Sequence, residues 1–279
     1  MASKDFKKII KSELLKCKSD PVYFFKKYCY IAHPQRGKIH FNTFPFQDKV
    51  LKIIEKHPYS IILKSRQLGI STLSAGYALW LMTFHENKNV LALATTQATA
   101  RNLVDKVQFM YDNLPSWMRV DSTEYNKLSL VLKNGSGVKA KSSSPDAARS
   151  EAVSLLIIDE AAFIDNIEDT WASAQQTLAT GGGAIVLSTP NGIGNWFHMM
   201  WAKAEAAEND FIPIKLPWDL HPERDKTWRK KQDELLGIRM AAQECDCLWG
   251  ESLITIRDKA TGIESNITLE ELYNKLLQK

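Results

Sequence analysis

The chain has 279 residues, 44% of them apolar, and a formal net charge of +4. This length suits one large domain or a domain with an appendage, and the composition excludes a largely disordered or collagen-like chain. No apolar run reaches the roughly 20 residues that a membrane span needs. The four cysteines lack the paired spacing of a zinc site, so we expect reduced thiols in a cytoplasmic protein. The modest positive charge is compatible with a polyanionic partner but does not decide for one.

The first predicted element is an amphipathic helix over residues 4–18, in which lysines separate apolar residues at helical spacing. Its apolar positions are Phe6, Ile9, Ile10, Leu14 and Leu15. The lysine face is either solvated or in contact with DNA or another partner, and the sequence leaves both readings open.

Short apolar runs then alternate with helical patterns, which is typical of a mostly parallel α/β sheet with flanking helices. The predicted strands cover residues 60–63, 90–94, 155–158, 184–188 and 211–216. The predicted helices cover residues 47–55, 72–84, 97–114, 167–179, 195–207 and 222–236. Two further extended segments, 128–132 and 138–141, flank the hairpin signal Asn134-Gly135-Ser136-Gly137 and should lie at or beside an edge of the sheet.

A candidate phosphate-binding loop follows the first of these strands. It comprises Lys64, Ser65, Arg66, Gln67, Leu68, Gly69, Ile70, Ser71 and Thr72. A glycine-containing loop between a strand and a helix directs backbone N–H groups at a phosphate chain and a hydroxyl, here that of Ser71, at a metal. The usual Walker A motif has lysine where this chain has Ile70, so the phosphate cation must be Lys64 or Arg66. The alternative is a plain turn with a solvated lysine and arginine.

A pair of carboxylates at the end of another apolar strand favours the nucleotide site. Asp159 and Glu160 follow residues 155–158 and form a Walker B pattern. Phosphoryl transfer needs one carboxylate near Mg²⁺ and a second group that orients the attacking water, and we assign these roles to Asp159 and Glu160 respectively. The sequence therefore predicts an ATP hydrolase that uses ATP and Mg²⁺.

Three polar residues complete the predicted site. Ser188 ends the strand over residues 184–188 and Thr189 follows it, and we expect their hydroxyls to face the γ-phosphate and sense hydrolysis. Gln47 precedes the first strand of the sheet and would hydrogen-bond an adenine edge.

Together these motifs resemble the ATPase domain of the large terminase subunit of tailed phages, over nearly all of residues 1–246. The resemblance rests on Pro21 to Tyr28, Phe46-Gln47, Ser65 to Gly69, Ser143 to Arg149, Ile157 to Phe163 and Ser188 to Gly192. It implies a P-loop NTPase of the ASCE type that translocates double-stranded DNA into a capsid, from the host cell cytoplasm. The implied partners are the portal ring, the small terminase subunit and further copies of this chain in a ring.

The resemblance also implies roles for two arginines. Arg66 would act as an arginine finger in cis, and Arg149 would contact DNA or a neighbouring subunit's nucleotide. Lys64 is our preferred phosphate cation. Large terminases carry a C-terminal nuclease domain as well, and we expect no nuclease activity from residues 247–279.

The tail begins Cys247-Leu248-Trp249-Gly250-Glu251-Ser252, and we expect extended segments at residues 253–256 and 263–267 and a helix over residues 269–277. Residues 247–256 resemble the first block of an intein, a small β-rich fold of the HINT type. Its cysteine would attack the carbonyl of Asp246 and replace the peptide bond with a thioester. No histidine follows His221, so the fragment would splice only in trans, with a chain that carries the rest of the intein and the nuclease domain. The alternative is a divergent tail with an ordinary buried thiol.

These expectations divide the chain into an N-terminal segment on the adenine side of the site (1–58), an ATPase core (59–246) and an intein fragment (247–279). Two competing functions remain open from the sequence. One is a degenerate ATP-binding subunit without hydrolysis, which the isoleucine at position 70 favours. The other is a helicase-like ATPase of another family, which would need a second lobe.

Overall fold

The structure is a computed structural model. It describes residues 2–143, 152–179, 181–247, 253–259, 261–268, 271–272 and 275. The helices are α1 (Ala2–Ser19), α2 (Pro21–Tyr28), α3 (Pro45–Lys56), α4 (Ile70–Phe84), α5 (Gln97–Asp112), α6 (Ile167–Leu178), α7 (Trp196–Glu205), α8 (Lys226–Leu236) and α9 (Ile238–Ala241). The strands are β1 (Tyr30–His33), β2 (Gly37–His40), β3 (Tyr59–Lys64), β4 (Asn89–Ala94), β5 (Ser122–Asn126), β6 (Ser129–Leu132), β7 (Gly137–Ser142), β8 (Leu155–Asp159), β9 (Gly183–Ser188), β10 (Ile212–Leu216), β11 (Leu253–Arg257) and β12 (Glu264–Thr268).

Eight strands form the central sheet, in the order β10-β3-β9-β8-β4-β7-β6-β5. The strands from β10 to β7 are all parallel, whereas β6 and β5 continue the edge in antiparallel pairing. This confirms the predicted α/β class with a mostly parallel sheet. The hairpin signal at residues 134–137 joins β6 to β7, and it extends the sheet as one of the two expected arrangements.

The parallel strands are continuous apolar runs because helices cover both faces of the sheet. Successive residues of a strand point to opposite faces. Accordingly, Ile62 belongs to one hydrophobic cluster and its neighbours Ile61 and Leu63 belong to the other. Because β3, β9 and β8 are adjacent and parallel, their carboxyl ends lie side by side at one edge of the sheet. The predicted site residues are found at this edge.

The N-terminal helices pack on the same core. Phe24 and Phe25 of α2 are fully buried and share the larger cluster with residues of α4. The predicted amphipathic helix is present as α1, but three of its apolar residues, Phe6, Ile9 and Leu15, are more than half exposed. The buried face of α1 is thus narrower than its spacing predicts.

Several elements of the fold were not predicted from the sequence, among them α2, β5 and α9. The segments Tyr30–His33 and Gly37–His40 form a small antiparallel hairpin, β1 and β2. Residues Ala242–Asp246 form a π-helical turn that packs against the loop after β3.

The tail beyond residue 252 contains the predicted pair of extended segments. β11 and β12 form an antiparallel hairpin in which Leu253 pairs with Thr268. The helix predicted over residues 269–277 lies mostly outside the described residues. Within the part of the chain that the structure describes, the helices are all too short or too polar to cross a bilayer.

Candidate nucleotide site

The loop after β3 has the geometry of a phosphate-binding loop. Two of its residues, Gln67 (φ 56°) and Gly69 (φ 74°), have left-handed backbone conformations, and α4 begins directly afterwards at Ile70. Such alternation turns successive N–H groups toward one point, and the helix dipole adds positive potential there. The loop lines a cavity of about 210 Å³. Its lining residues are Lys64, Gln67, Leu68, Gly69, Ile70, Ser71, Thr72 and Lys106.

Gln47 supports this loop from α3. Its Nε2 donates to the carbonyl of Leu68 at 2.8 Å, and its Oε1 accepts from the N–H of Phe44 at 2.9 Å. The side chain is 2% exposed, so both polar ends are satisfied within the protein. In the structure Gln47 therefore packs against the loop and stabilises the backbone at Leu68.

Lys64 and Glu160 meet across the ends of β3 and β8. The Lys64 Nζ lies 3.0 Å from Glu160 Oε1, and the Lys64 side chain is almost entirely buried. Glu160 itself has a left-handed backbone (φ 55°), which is unusual for a residue with a side chain. Strain of this kind is common in active sites, where it aims a side chain that a relaxed backbone would direct elsewhere.

Asp159 is the better-placed metal ligand of the acidic pair. It is hydrogen-bonded to Ser71 and to the N–H of Glu160, and burial raises the pKa of its carboxyl above the ordinary value despite the nearby Lys64. Asp159 is half-buried. A carboxylate beside a hydroxyl is a hard-oxygen donor set, and Mg²⁺ commonly takes only one or two protein ligands of this type. Asp159 and Ser71 therefore fit the predicted metal.

The end of β9 contacts the segment that follows β8. The Ser188 hydroxyl accepts a hydrogen bond from the N–H of Ala162 at 3.1 Å, and Asn191 donates to the carbonyl of Ala162 at 3.0 Å. Thr189 is buried, and its hydroxyl has no hydrogen-bond partner among the residues that the structure describes. An unpartnered buried hydroxyl suits a group that hydrogen-bonds a ligand.

The family described as "Terminase large subunit, T4likevirus-type, N-terminal" matches residues 61–262. The chain belongs to this family. The match decides against a helicase-like ATPase of another family. It also extends past Asp246, where we expected the terminase resemblance to end.

Solved structures of large terminases share the fold of this terminase chain. The ATPase domain of the Thermus phage P74-26 large terminase is 22% identical, with a TM-score of 0.55, over 68% of this chain and 87% of that one. The large terminase of a thermophilic bacteriophage is 13% identical, with a TM-score of 0.61, over 85% and 73%. The HK97 bacteriophage large terminase is 19% identical, with a TM-score of 0.60, over 81% of this chain but only 47% of its own length.

Arg66 of this terminase chain is not among the residues that line the cavity, and it pairs instead with Glu244. Its Nε lies 2.6 Å from the Glu244 carboxylate and its N–H donates to the Glu244 carbonyl at 2.9 Å. The Arg66 side chain is 67% exposed. Of the two candidate phosphate cations, the structure thus places Lys64 in the cavity lining and Arg66 outside it. The other predicted arginine, Arg149, lies outside the described residues.

Ile70 replaces the usual Walker A lysine with a packing residue. Its side chain is 1% exposed and belongs to the larger hydrophobic cluster. Lys106 of α5, which we did not predict, brings a second cation to the cavity. Burial lowers the pKa of Lys106, and the nearby Asp159 opposes this effect. A single lysine within a long helical pattern gives no signal of its position, so only the packing of α5 on α4 reveals it.

Cys247 lies beside the site rather than at the surface. It is fully buried, and its thiol contacts the carbonyl of Leu216 at 3.2 Å. Burial raises the pKa of the Cys247 thiol to about 12. The preceding Asp246 is ion-paired with Arg229 at 2.6 Å. The sequence predicts a reactive nucleophile at this position, but in the structure the thiol is protonated and shielded.

Proposed function

We propose that this chain binds ATP and Mg²⁺ and hydrolyses ATP, as the motor part of a terminase large subunit. The observation that carries the proposal is the convergence of the phosphate loop and the acidic pair, where Lys64 lies 3.0 Å from Glu160. These two residues lie 96 positions apart in sequence, at the ends of two different strands. Burying a lysine beside a glutamate with an unfavourable backbone conformation reduces the stability of the fold. Such a loss of stability is typical of functional sites.

Each group has a separate task in this proposal. The N–H groups at the start of α4 and the Lys64 ammonium bind the phosphates. Asp159 and Ser71 hold Mg²⁺, which supplies positive charge to the phosphate oxygens when it is bound. Glu160 orients the attacking water, and the unpartnered Thr189 hydroxyl detects the γ-phosphate. Because Lys64 pairs with Glu160 in this structure, a bound triphosphate would compete for Lys64 and free the Glu160 carboxylate.

Relatives support a nucleotide as the ligand. The large terminase of the thermophilic bacteriophage has been solved in complex with ADP and with ATP-gamma-S, at 14% and 13% identity to this chain. These structures share the fold, and the transfer of their ligand to this chain is part of our proposal.

Phosphate release from ATP tests the proposal directly. The wild type should hydrolyse ATP in the presence of Mg²⁺, and Lys64→Met should raise the KM for ATP at least about tenfold, because a charge-assisted phosphate contact is lost. Lys203→Met, an exposed lysine on α7, is the matched control and should behave as the wild type. ATP binding without any turnover by the wild type would instead favour a degenerate ATP-binding subunit.

The partners of the motor are also part of the proposal. We propose that the chain acts on double-stranded DNA as a homo-oligomeric ring, together with a portal ring and a small terminase subunit. Family membership supports this assignment. Arg149 is our proposed contact to DNA or to a neighbouring subunit's nucleotide. Arg66 keeps its proposed role as an arginine finger only if the Arg66–Glu244 ion pair opens when the nucleotide binds.

We further propose that residues 247–279 are the N-terminal part of a split intein that joins this chain to one carrying the nuclease domain. The sequence that starts at Cys247 supports the proposal, together with the hairpin of β11 and β12. Because the Cys247 thiol is buried and protonated, the partner must first withdraw it from between β3 and β10. The other reading is an ordinary buried cysteine, which the shielded thiol favours.

A ligation assay separates the two readings. Mixing the chain with a partner that carries a complementary intein fragment should give a ligated product that ends this chain at Asp246. Cys247→Ala should abolish the product, whereas Cys245→Ala, which removes a neighbouring buried thiol, should not. Absence of ligation with a matched partner would favour the buried-cysteine reading.

A further inference from the structure

An arginine far from the phosphate loop in sequence contacts the loop's backbone. Arg224 lies between β10 and α8, 157 residues beyond Gln67. Its Nη1 donates to the Arg66 carbonyl at 3.0 Å, and its Nη2 donates to the Gln67 carbonyl at 3.1 Å. The same Nη1 lies 3.4 Å from the Ser65 hydroxyl oxygen. One guanidinium thus bridges two consecutive peptide groups of the loop.

Neighbouring aromatic rings fix the orientation of this guanidinium. It lies over the Trp228 ring, 4.5 Å from the ring centroid, and Trp228 stacks on Trp218. A planar guanidinium has donors in a fixed fork, so the stack directs two N–H groups at the loop together. A lysine ammonium offers neither the plane nor the fork. The Arg224 contact is therefore specific in geometry and not only in charge.

The bridged peptide groups are those that a phosphate site must orient. In a planar peptide unit the C=O and the following N–H point in opposite directions. Because the carbonyls of Arg66 and Gln67 point toward Arg224, the N–H groups of Gln67 and Leu68 in the same peptide units point away from it. Both residues line the cavity. The left-handed backbone of Gln67 is unfavourable for a residue with a side chain, so the loop needs an external contact to keep it.

We propose that Arg224 is a positioning residue that holds the N–H groups of Gln67 and Leu68 toward the phosphates of the nucleotide. The inference rests on the proposed ATP site and adds a residue to it that lies outside the loop. Arg224 acts through the loop backbone and does not itself contact the nucleotide. Its removal therefore weakens phosphate binding more than it slows the chemical step.

The test compares ADP affinity and ATPase kinetics in Arg224→Ala, Arg224→Lys and the wild type. Losing two charge-assisted hydrogen bonds that orient the loop should raise the Kd for ADP and the KM for ATP by about 10-fold to 100-fold. The kcat at saturating ATP should change less than about threefold. Arg224→Lys keeps the cation without the fork, so it should fold as the wild type. On a logarithmic scale, its increase in the Kd for ADP should still be at least half of that in Arg224→Ala.

Arg119→Ala is a matched control. Arg119 also donates to a backbone carbonyl, that of Asp112, and also lies over an aromatic ring, that of Tyr111, but it is outside the nucleotide site. It should leave the Kd and KM unchanged. If the wild type binds ADP and Arg224→Lys binds it equally well, the positioning role is wrong. If the wild type itself binds no nucleotide, the proposed function fails first.

Discussion

Nucleotide binding should break the ion pair between Lys64 and Glu160. The perturbation is a double-mutant cycle of Lys64→Met and Glu160→Gln. A charge-assisted hydrogen bond contributes about 1.5–3 kcal/mol, and the Lys64 Nζ and Glu160 Oε1 atoms are at ideal distance, 3.0 Å. The Glu160 side chain is 32% exposed, so solvent screening reduces the expected coupling energy to about 1–2 kcal/mol.

The assay is urea unfolding of the four proteins, with and without saturating ADP. We expect the coupling energy of about 1–2 kcal/mol in the free protein to fall below about 0.5 kcal/mol with ADP, because the phosphates then hold Lys64. The pair of Lys26 and Asp48, 2.6 Å apart at the surface, is the control, and its coupling should not respond to ADP. A Lys64–Glu160 coupling that is absent without ADP, or unchanged by it, would refute this reasoning.

Three further changes test other parts of the structure. Gly69→Ala should destabilise the protein by about 1–3 kcal/mol, because a Cβ would meet Gln47 Nε2 at 2.8 Å and the φ of 74° disfavours alanine; Gly37→Ala, with a similar φ and open space, should cost less in the same urea titration. Glu13 accepts hydrogen bonds from Lys27 and Tyr28, and Lys27 contributes most to lowering the Glu13 pKa to about 2. Its stabilising contribution is therefore complete above pH 4.5 and lost as the pH falls toward 2, so the stability difference between the wild type and Glu13→Gln should vanish over that range. Finally, since the pKa of Cys247 is about 12, iodoacetamide at pH 8 should label it far more slowly in the folded chain than in urea; equal rates by mass spectrometry would contradict its burial.

Much of the central sheet could be predicted from the sequence because its strands are covered on both faces. Their continuous apolar runs at residues 60–63, 155–158 and 184–188 have few alternative structures, and each was found within one residue of its predicted bounds at either end. The hairpin of β1 and β2 was missed because its residues are mostly half-buried or exposed and carry no strong alternation.

Site residues could be predicted from the sequence only where they belong to a local motif that follows a strand. The loop and the acidic pair follow their own strands, so the parallel arrangement brings Lys64 and Glu160 together. Lys106 and Arg224 come from helices or loops whose approach depends on tertiary packing, and no local pattern marks them. The burial of Cys247 also depends on tertiary packing and has no local sequence signal. Its sequence indicates a nucleophile, whereas its burial in the fold raises the pKa of the thiol.

The role of Glu160 in orienting water is the central claim, and binding and turnover measured on one variant test it most directly. Glu160→Gln should bind ATP with Mg²⁺ at least as tightly as the wild type, because Lys64 loses its competing carboxylate. Its rate of phosphate release should fall at least about 100-fold, toward background. Glu168→Gln, an exposed residue on α6, should match the wild type in both measurements. Turnover by Glu160→Gln at the wild-type rate would contradict the account.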